Sequence, residues 1–294
     1  MNIKKFFTTV LKVLGICIAM IISFVIAGVI ANPNAASSSQ SAEETAQAGM
    51  ALLVVSIVNA LLLAYPISRA RWHGLKLVGA VLLVFFGIQT FMSQIETMFF
   101  GSAFNISSAE MRSIILTGFL TAVFFSFLAV LIMGKMRKPK EEEAPAVPFE
   151  MPAKDWAVRL ALLPLAYIVL YFLFGYFVAW QSPDVRELYT GSTAIEPFFT
   201  HLANTIKGDA SIIPFQFVRG LLWIGLAFPI LRMMKGGAWE KAIVVGLLFG
   251  LLITTQLMFP NPYMPAPVRL AHFIETSTST FLYGVLIGMV FKER

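Results

Sequence analysis

Apolar stretches of about twenty residues recur eight times along the chain, at residues 10–31, 48–67, 75–98, 112–134, 156–180, 214–231, 241–258 and 268–291. A bilayer core about 30 Å thick takes roughly 20 helical residues at about 1.5 Å each. The pattern therefore predicts an all-α, polytopic integral membrane protein with eight transmembrane helices. Between the stretches lie a Ser/Ala-rich connection from Asn32 to Gln47 and a connection at 135–155 with a run of glutamates and Pro139, Pro145, Pro148 and Pro152. Neither has the apolar periodicity to fold alone. The longer connection at 181–213 carries Pro197-Phe198-Phe199 ahead of His201, which reads as a short interfacial helix with aromatic anchors.

The stretches are internally related. Leu63-Ala64-Tyr65-Pro66-Ile67-Ser68-Arg69 at the end of the second returns as Leu226-Ala227-Phe228-Pro229-Ile230-Leu231-Arg232 at the end of the sixth. The fourth aligns on the eighth without a gap, pairing Arg112 with Arg269 and Lys135 with Lys292. Lys12 pairs with Arg159, and Lys76 with Lys241. Four spans per half is an even number, so the halves run in the same direction, as parallel repeats about an axis along the membrane normal. The expected organisation is a first repeat at 1–140, a linker at 141–153 and a second repeat at 154–294. Pro66 and Pro229 are expected to kink or end their helices, because each lacks an N–H and clashes with the preceding turn.

Composition narrows the class. With 58% hydrophobic and 13% charged residues and a mean hydropathy of +0.79, the chain is too apolar for a soluble domain. The net charge of +6 does not imply nucleic acid, because its distribution is topological. Most of the 22 Lys and Arg fall on the side of the N-terminus, whereas the other side keeps Arg112, Arg186, Lys207, Arg219 and Arg269. The positive-inside rule then places both ends of the chain in the cytoplasm, and the compactness of the chain with this bias suggests a bacterial inner membrane. The single Cys17 lies in the first stretch, so there is no disulfide framework and no cysteine-based metal site.

Polar side chains inside apolar stretches are costly and usually face the bundle interior or a wet cavity. Here they gather toward the side opposite the N-terminus. The third stretch carries Gln89, Ser93 and Glu96 at i, i+4, i+7; the sixth carries Gln216 and Arg219; the eighth carries Arg269, His272, Glu275, Thr276, Ser279 and Tyr283 in one stripe. If spans 3, 6 and 8 meet, these residues line one outward-facing vestibule. The first-half positions matching His272 and Glu275 are Ile115 and Gly118, so the stripe is confined to the second half. Arg112, Arg219 and Arg269 suggest a guanidinium triad for an anionic solute or lipid headgroup. His272 and Glu275 at i, i+3, with Glu96, form a weak candidate metal set, and a Glu beside a His within a membrane also suits proton handling or simple structural pairing.

No P-loop, dinucleotide fingerprint, HExxH or GxSxG motif occurs, and no cofactor is implied. Expected partners are membrane lipids, a small anionic solute, and another protein or further copies of the chain. Three function classes follow: a transporter or translocator, a non-catalytic membrane scaffold, and an intramembrane enzyme with Glu96 or Glu275 as base.

Overall fold

The computed structural model describes residues 3–33, 41–101, 106–138, 151–260 and 263–292, and no strand occurs among them. Eight helices are long and apolar enough to cross a membrane: span 1 Phe6–Ala31, span 2 Ala42–Ser68, span 3 Gly74–Phe99, span 4 Ser108–Ile132, span 5 Ala153–Gln181, span 6 Ile212–Met233, span 7 Ala238–Met258 and span 8 Ala266–Val290. The large apolar side chains point both ways. Trp223, Phe85, Phe125 and Phe249 are buried between spans, while Leu11, Leu75, Leu162 and Leu270 are exposed on the outside. Such an apolar exterior suits contact with lipid tails.

Helix boundaries follow local chemistry. Ser41 and Glu44 form a capping box that starts span 2 six residues before the apolar run begins at Ala48, and Ser107 with Glu110 does the same for span 4. Gly134, with φ of 74°, ends span 4 in a left-handed turn, and the Lys135 N–H donates to the Val130 carbonyl. Spans 2 and 6 continue through Pro66 and Pro229 and end within one further turn. Most of the expected linker at 141–153 lies outside the described residues.

Contacts define two faces. On one, Lys12 Nζ donates to the Met133 carbonyl at 3.0 Å, Arg159 Nη1 to the Val290 carbonyl at 2.9 Å, and the Gly74 N–H to the Lys135 carbonyl at 2.9 Å. The connections after spans 2 and 6 pair there as a short antiparallel bridge, with the Arg71 N–H on the Met233 carbonyl and the Lys235 N–H on the Arg69 carbonyl. On the opposite face Tyr263 donates to Glu110 at 2.6 Å, and Ser113 to Asn32 at 2.5 Å. Span 1 packs on spans 2 and 4, span 5 on spans 6 and 8, span 3 on spans 4 and 6, and span 7 on span 8.

Spans 7 and 8 approach most closely through facing glycine pairs, Gly246 with Gly250 and Gly284 with Gly288. A Cβ on Gly284 would sit 2.8 Å from the Gly246 Cα, and one on Gly288 would strike Ala242. Small residues at this spacing let backbones touch where lipid offers no hydrophobic drive for association. Gly284→Leu is therefore expected to force the pair apart and destabilise the protein by about 1–3 kcal/mol, the cost of overpacking a close contact; thermal unfolding in detergent measures it.

Spans 3 and 7 are both interrupted. Span 3 widens into a π-type turn at Phe86–Phe91, and span 7 does so at Leu248–Leu252 before tightening into a 3₁₀ turn at Thr255–Met258. These turns rotate the residues beyond them relative to those before, and this decides where the polar side chains of span 3 point.

Candidate functional site

Span 6 stands between spans 3 and 8 and carries the centre of the site. Arg219, only 2% exposed, holds Glu96 of span 3 in a two-pronged ion pair, Nη1 to Oε1 and Nη2 to Oε2, each at 2.7 Å. Nη1 also donates to Gln216 Oε1 at 3.1 Å, one turn earlier on the same helix. The guanidinium faces the rings of Tyr167 and Phe215, each 5.8 Å away, and Phe215 stacks flat on Phe99 at 4.0 Å. Planar fork geometry suits a carboxylate, and the aromatic faces add cation–π attraction in a desolvated setting. Arg219 Nε and Gln216 Nε2 have no hydrogen-bond partner among the described residues, although both are buried.

Span 8 supplies the second charge. Glu275, 8% exposed, accepts from the Thr276 hydroxyl at 2.7 Å and from Ser279 Oγ at 3.5 Å. His272 Nδ1 lies 3.8 Å from its Oε2, and the other ring nitrogen, Nε2, lies 3.3 Å from the Tyr189 hydroxyl. Tyr189 belongs to a short helix, Pro183–Thr190, that caps span 8 on the opposite face from the N-terminus. Its phenol is held protonated well above the ordinary value by burial, reinforced by the negative charges of Glu96 and Glu275. Both carboxylates thus act on one hydroxyl. Tyr167 of span 5 faces the Arg219 guanidinium and packs on Tyr283 of span 8 at 4.9 Å, so spans 3, 5, 6 and 8 meet around this region.

Some expected members lie elsewhere. Gln89 does not share a face with Glu96, because the π turn at Phe86–Phe91 intervenes. Its Nε2 donates instead to Thr255 Oγ1 of span 7 at 2.9 Å, and Thr255 donates to Asn59 Oδ1 of span 2 at 3.0 Å. That chain joins spans 2, 3 and 7 in the core. Ser93 bonds back to the carbonyls of Gln89 and Thr90. The guanidinium triad does not assemble: Arg269 Nη1 donates to the Met264 carbonyl at the start of its own helix, and Arg112 is exposed. Nor do His272, Glu275 and Glu96 form a metal-holding group, since no cluster of three such ligands occurs among the described residues and Glu96 is engaged by Arg219.

The helix expected in the connection at 181–213 is present at Phe198–Gly208. His201 lies 4.4 Å from the ring of Trp180 and close to Tyr176. Burial lowers its pKa, partly opposed by the Glu196 carboxylate. The unfolded chain therefore binds this proton more readily than the folded one. Stability is fully present above the unfolded value and falls as pH drops below it toward the folded value. His201→Phe is expected to remove this acid-side loss, read as a flatter unfolding temperature between pH 7 and pH 5. Arg186 was counted in the sequence only as a cation on this side. It is 8% exposed and staples the connection between spans 5 and 6 by donating to the carbonyls of Thr193 and Trp180.

The chain is a multi-pass α-helical membrane protein with a buried polar site among four of its spans. Comparison with protein-family models, with curated proteins and with solved structures finds no match.

Proposed function

We propose that the chain is a transporter whose site toward the face opposite the N-terminus handles a proton on Glu275. The observation that carries this reading is the series Glu275, His272, Tyr189: a buried carboxylate, an imidazole and a phenol in sequence from the interior of span 8 to the capping helix. The carboxylate and the imidazole exchange protons, and the phenol, which keeps its own, can pass one on by accepting at its oxygen as it donates, which is the chemistry of a relay. Glu96 is neutralised by Arg219, so Glu275 remains as the carboxylate of the site without a guanidinium or ammonium partner.

The same reading takes the fold as two parallel four-span halves, N-in and C-in, in a bacterial inner membrane. Two bonds support it: Lys12 on Met133 and Arg159 on Val290 connect residues that match one another position for position in the aligned halves. The π turns of spans 3 and 7 and the bridge between the connections after spans 2 and 6 favour the same symmetry. The charge bias supports the orientation.

An anionic solute or lipid headgroup is the second reading, favoured by the unpaired donors Arg219 Nε and Gln216 Nε2; such a ligand must compete with Glu96 for the guanidinium. Thermal unfolding of the purified protein from pH 5 to pH 8, with panels of anions and organic cations, tests both. A response to protons that depends on Glu275 supports the relay, and an anion response that depends on Arg219 supports the alternative. Curves that coincide for the wild type and both variants overturn transport in favour of a scaffold.

A further inference from the structure

Away from the polar site, at the face where spans 6 and 8 end and span 7 begins, lies a cavity of about 160 Å³. One water needs roughly 10–15 Å³ of such space, so the cavity has room for a group many times that size. Arg232, Lys241 and Lys292 line it together with Gly236 and Gly237, and Phe228 and Phe291 form its apolar wall. Arg232 and Lys292 make no hydrogen bond or ion pair among the described residues, while Lys241 is 4% exposed. An anion entering this space would meet the two unengaged cations, Arg232 and Lys292, beside the Lys241 ammonium.

The matching residues of the first half show the contrast. There Arg69 is engaged by Glu240, Lys76 lies over the Trp72 ring at 4.2 Å, and Lys135 Nζ donates to the Ala70 carbonyl at 2.8 Å. The connection from Arg69 to Lys76 is residues 70–75, whereas that from Arg232 to Lys241 is residues 233–240 and includes the glycine pair. A Cβ on Gly237 would meet nothing within 4 Å, so the space is open there. The Glu240 carboxylate stands beside Gly236, but its oxygens accept from Arg69 and Tyr65.

We propose that this cavity binds a phosphate ester. A guanidinium fork with two ammonium point charges matches a group with several anionic oxygens better than it matches a single carboxylate. The cavity opens between span ends beside the exposed ring of Trp239, and basic pockets in that position take lipid phosphates. The site is separate from the polar region around Glu275 and does not depend on how that region works.

Native mass spectrometry of the full chain, released from micelles containing phosphatidylglycerol or a diacylglycerol with the same acyl chains, tests the proposal. Phosphatidylglycerol is expected to stay bound and diacylglycerol to be lost. Arg232→Gln with Lys292→Gln is expected to weaken retention roughly tenfold or more, as for losing hydrogen bonds to a charged group. Gly237→Val keeps every charge but adds a side chain at a position that lines the cavity, and is expected to weaken retention similarly. Arg112→Gln on the other face should behave as wild type. Thermal unfolding with inorganic phosphate against chloride at equal ionic strength identifies the source. A rise with phosphate that the double variant loses points to a soluble ester, and retention of the lipid without such a rise points to a headgroup. Equal retention by the double variant and Gly237→Val, or equal retention of diacylglycerol, overturns the proposal, as does the absence of any response to lipid or phosphate.

Discussion

Replacing Glu275 with glutamine is expected to abolish proton movement into liposomes that carry the reconstituted protein, under an imposed proton gradient, with helix content and detergent solubility unchanged. Glutamine has nearly the same shape, and its carbonyl can still accept from Thr276 and Ser279, so the packing of span 8 is retained. What disappears is a group that gains and loses a proton. Thr276→Val removes a donor but keeps the carboxylate, and should slow that movement without abolishing it. Unchanged proton movement in Glu275→Gln would remove Glu275 from any proton chemistry.

The second large effect is expected at the Arg219–Glu96 pair. Glu96→Gln leaves a guanidinium that is 2% exposed without its counter-ion, in surroundings built largely from Tyr167, Phe215 and neighbouring spans. Breaking a fully buried pair costs about 3–5 kcal/mol. Because the Glu96 side chain is 31% exposed, water relieves part of that, and a loss of about 2–3 kcal/mol is expected. The double variant Glu96→Gln with Arg219→Gln should lose less than the two single variants added together, since it leaves no uncompensated charge. Additive losses in unfolding experiments would show that the two side chains do not support one another.

The sequence by itself determined the eight hydrophobic helices, because burial in lipid demands length and apolarity that no other element supplies. Helix starts at Ser41 and Ser107 are written in the sequence as Ser-x-x-Glu boxes, although the apolar runs from Ala48 and Arg112 place both starts too late. Glu96, Arg219, His272 and Glu275 were legible as candidates because polar groups inside spans are costly enough to need a reason. Which of them meet was decided only in three dimensions. Gln89 and Glu96 have the spacing of one helical face, yet a π turn separates their directions, and no residue type announces such a turn. Arg112 and Arg269 look alike in the two halves, but one is exposed and the other caps its own helix, while Arg219 found a carboxylate in a span more than a hundred residues away. Tyr189 gave no signal at all, since a tyrosine in a polar connection is ordinary until the helix that carries it folds onto His272. Periodicity and transfer cost act along the chain, so sequence records them; pairing of charges depends on distance across it, and only packing sets that distance.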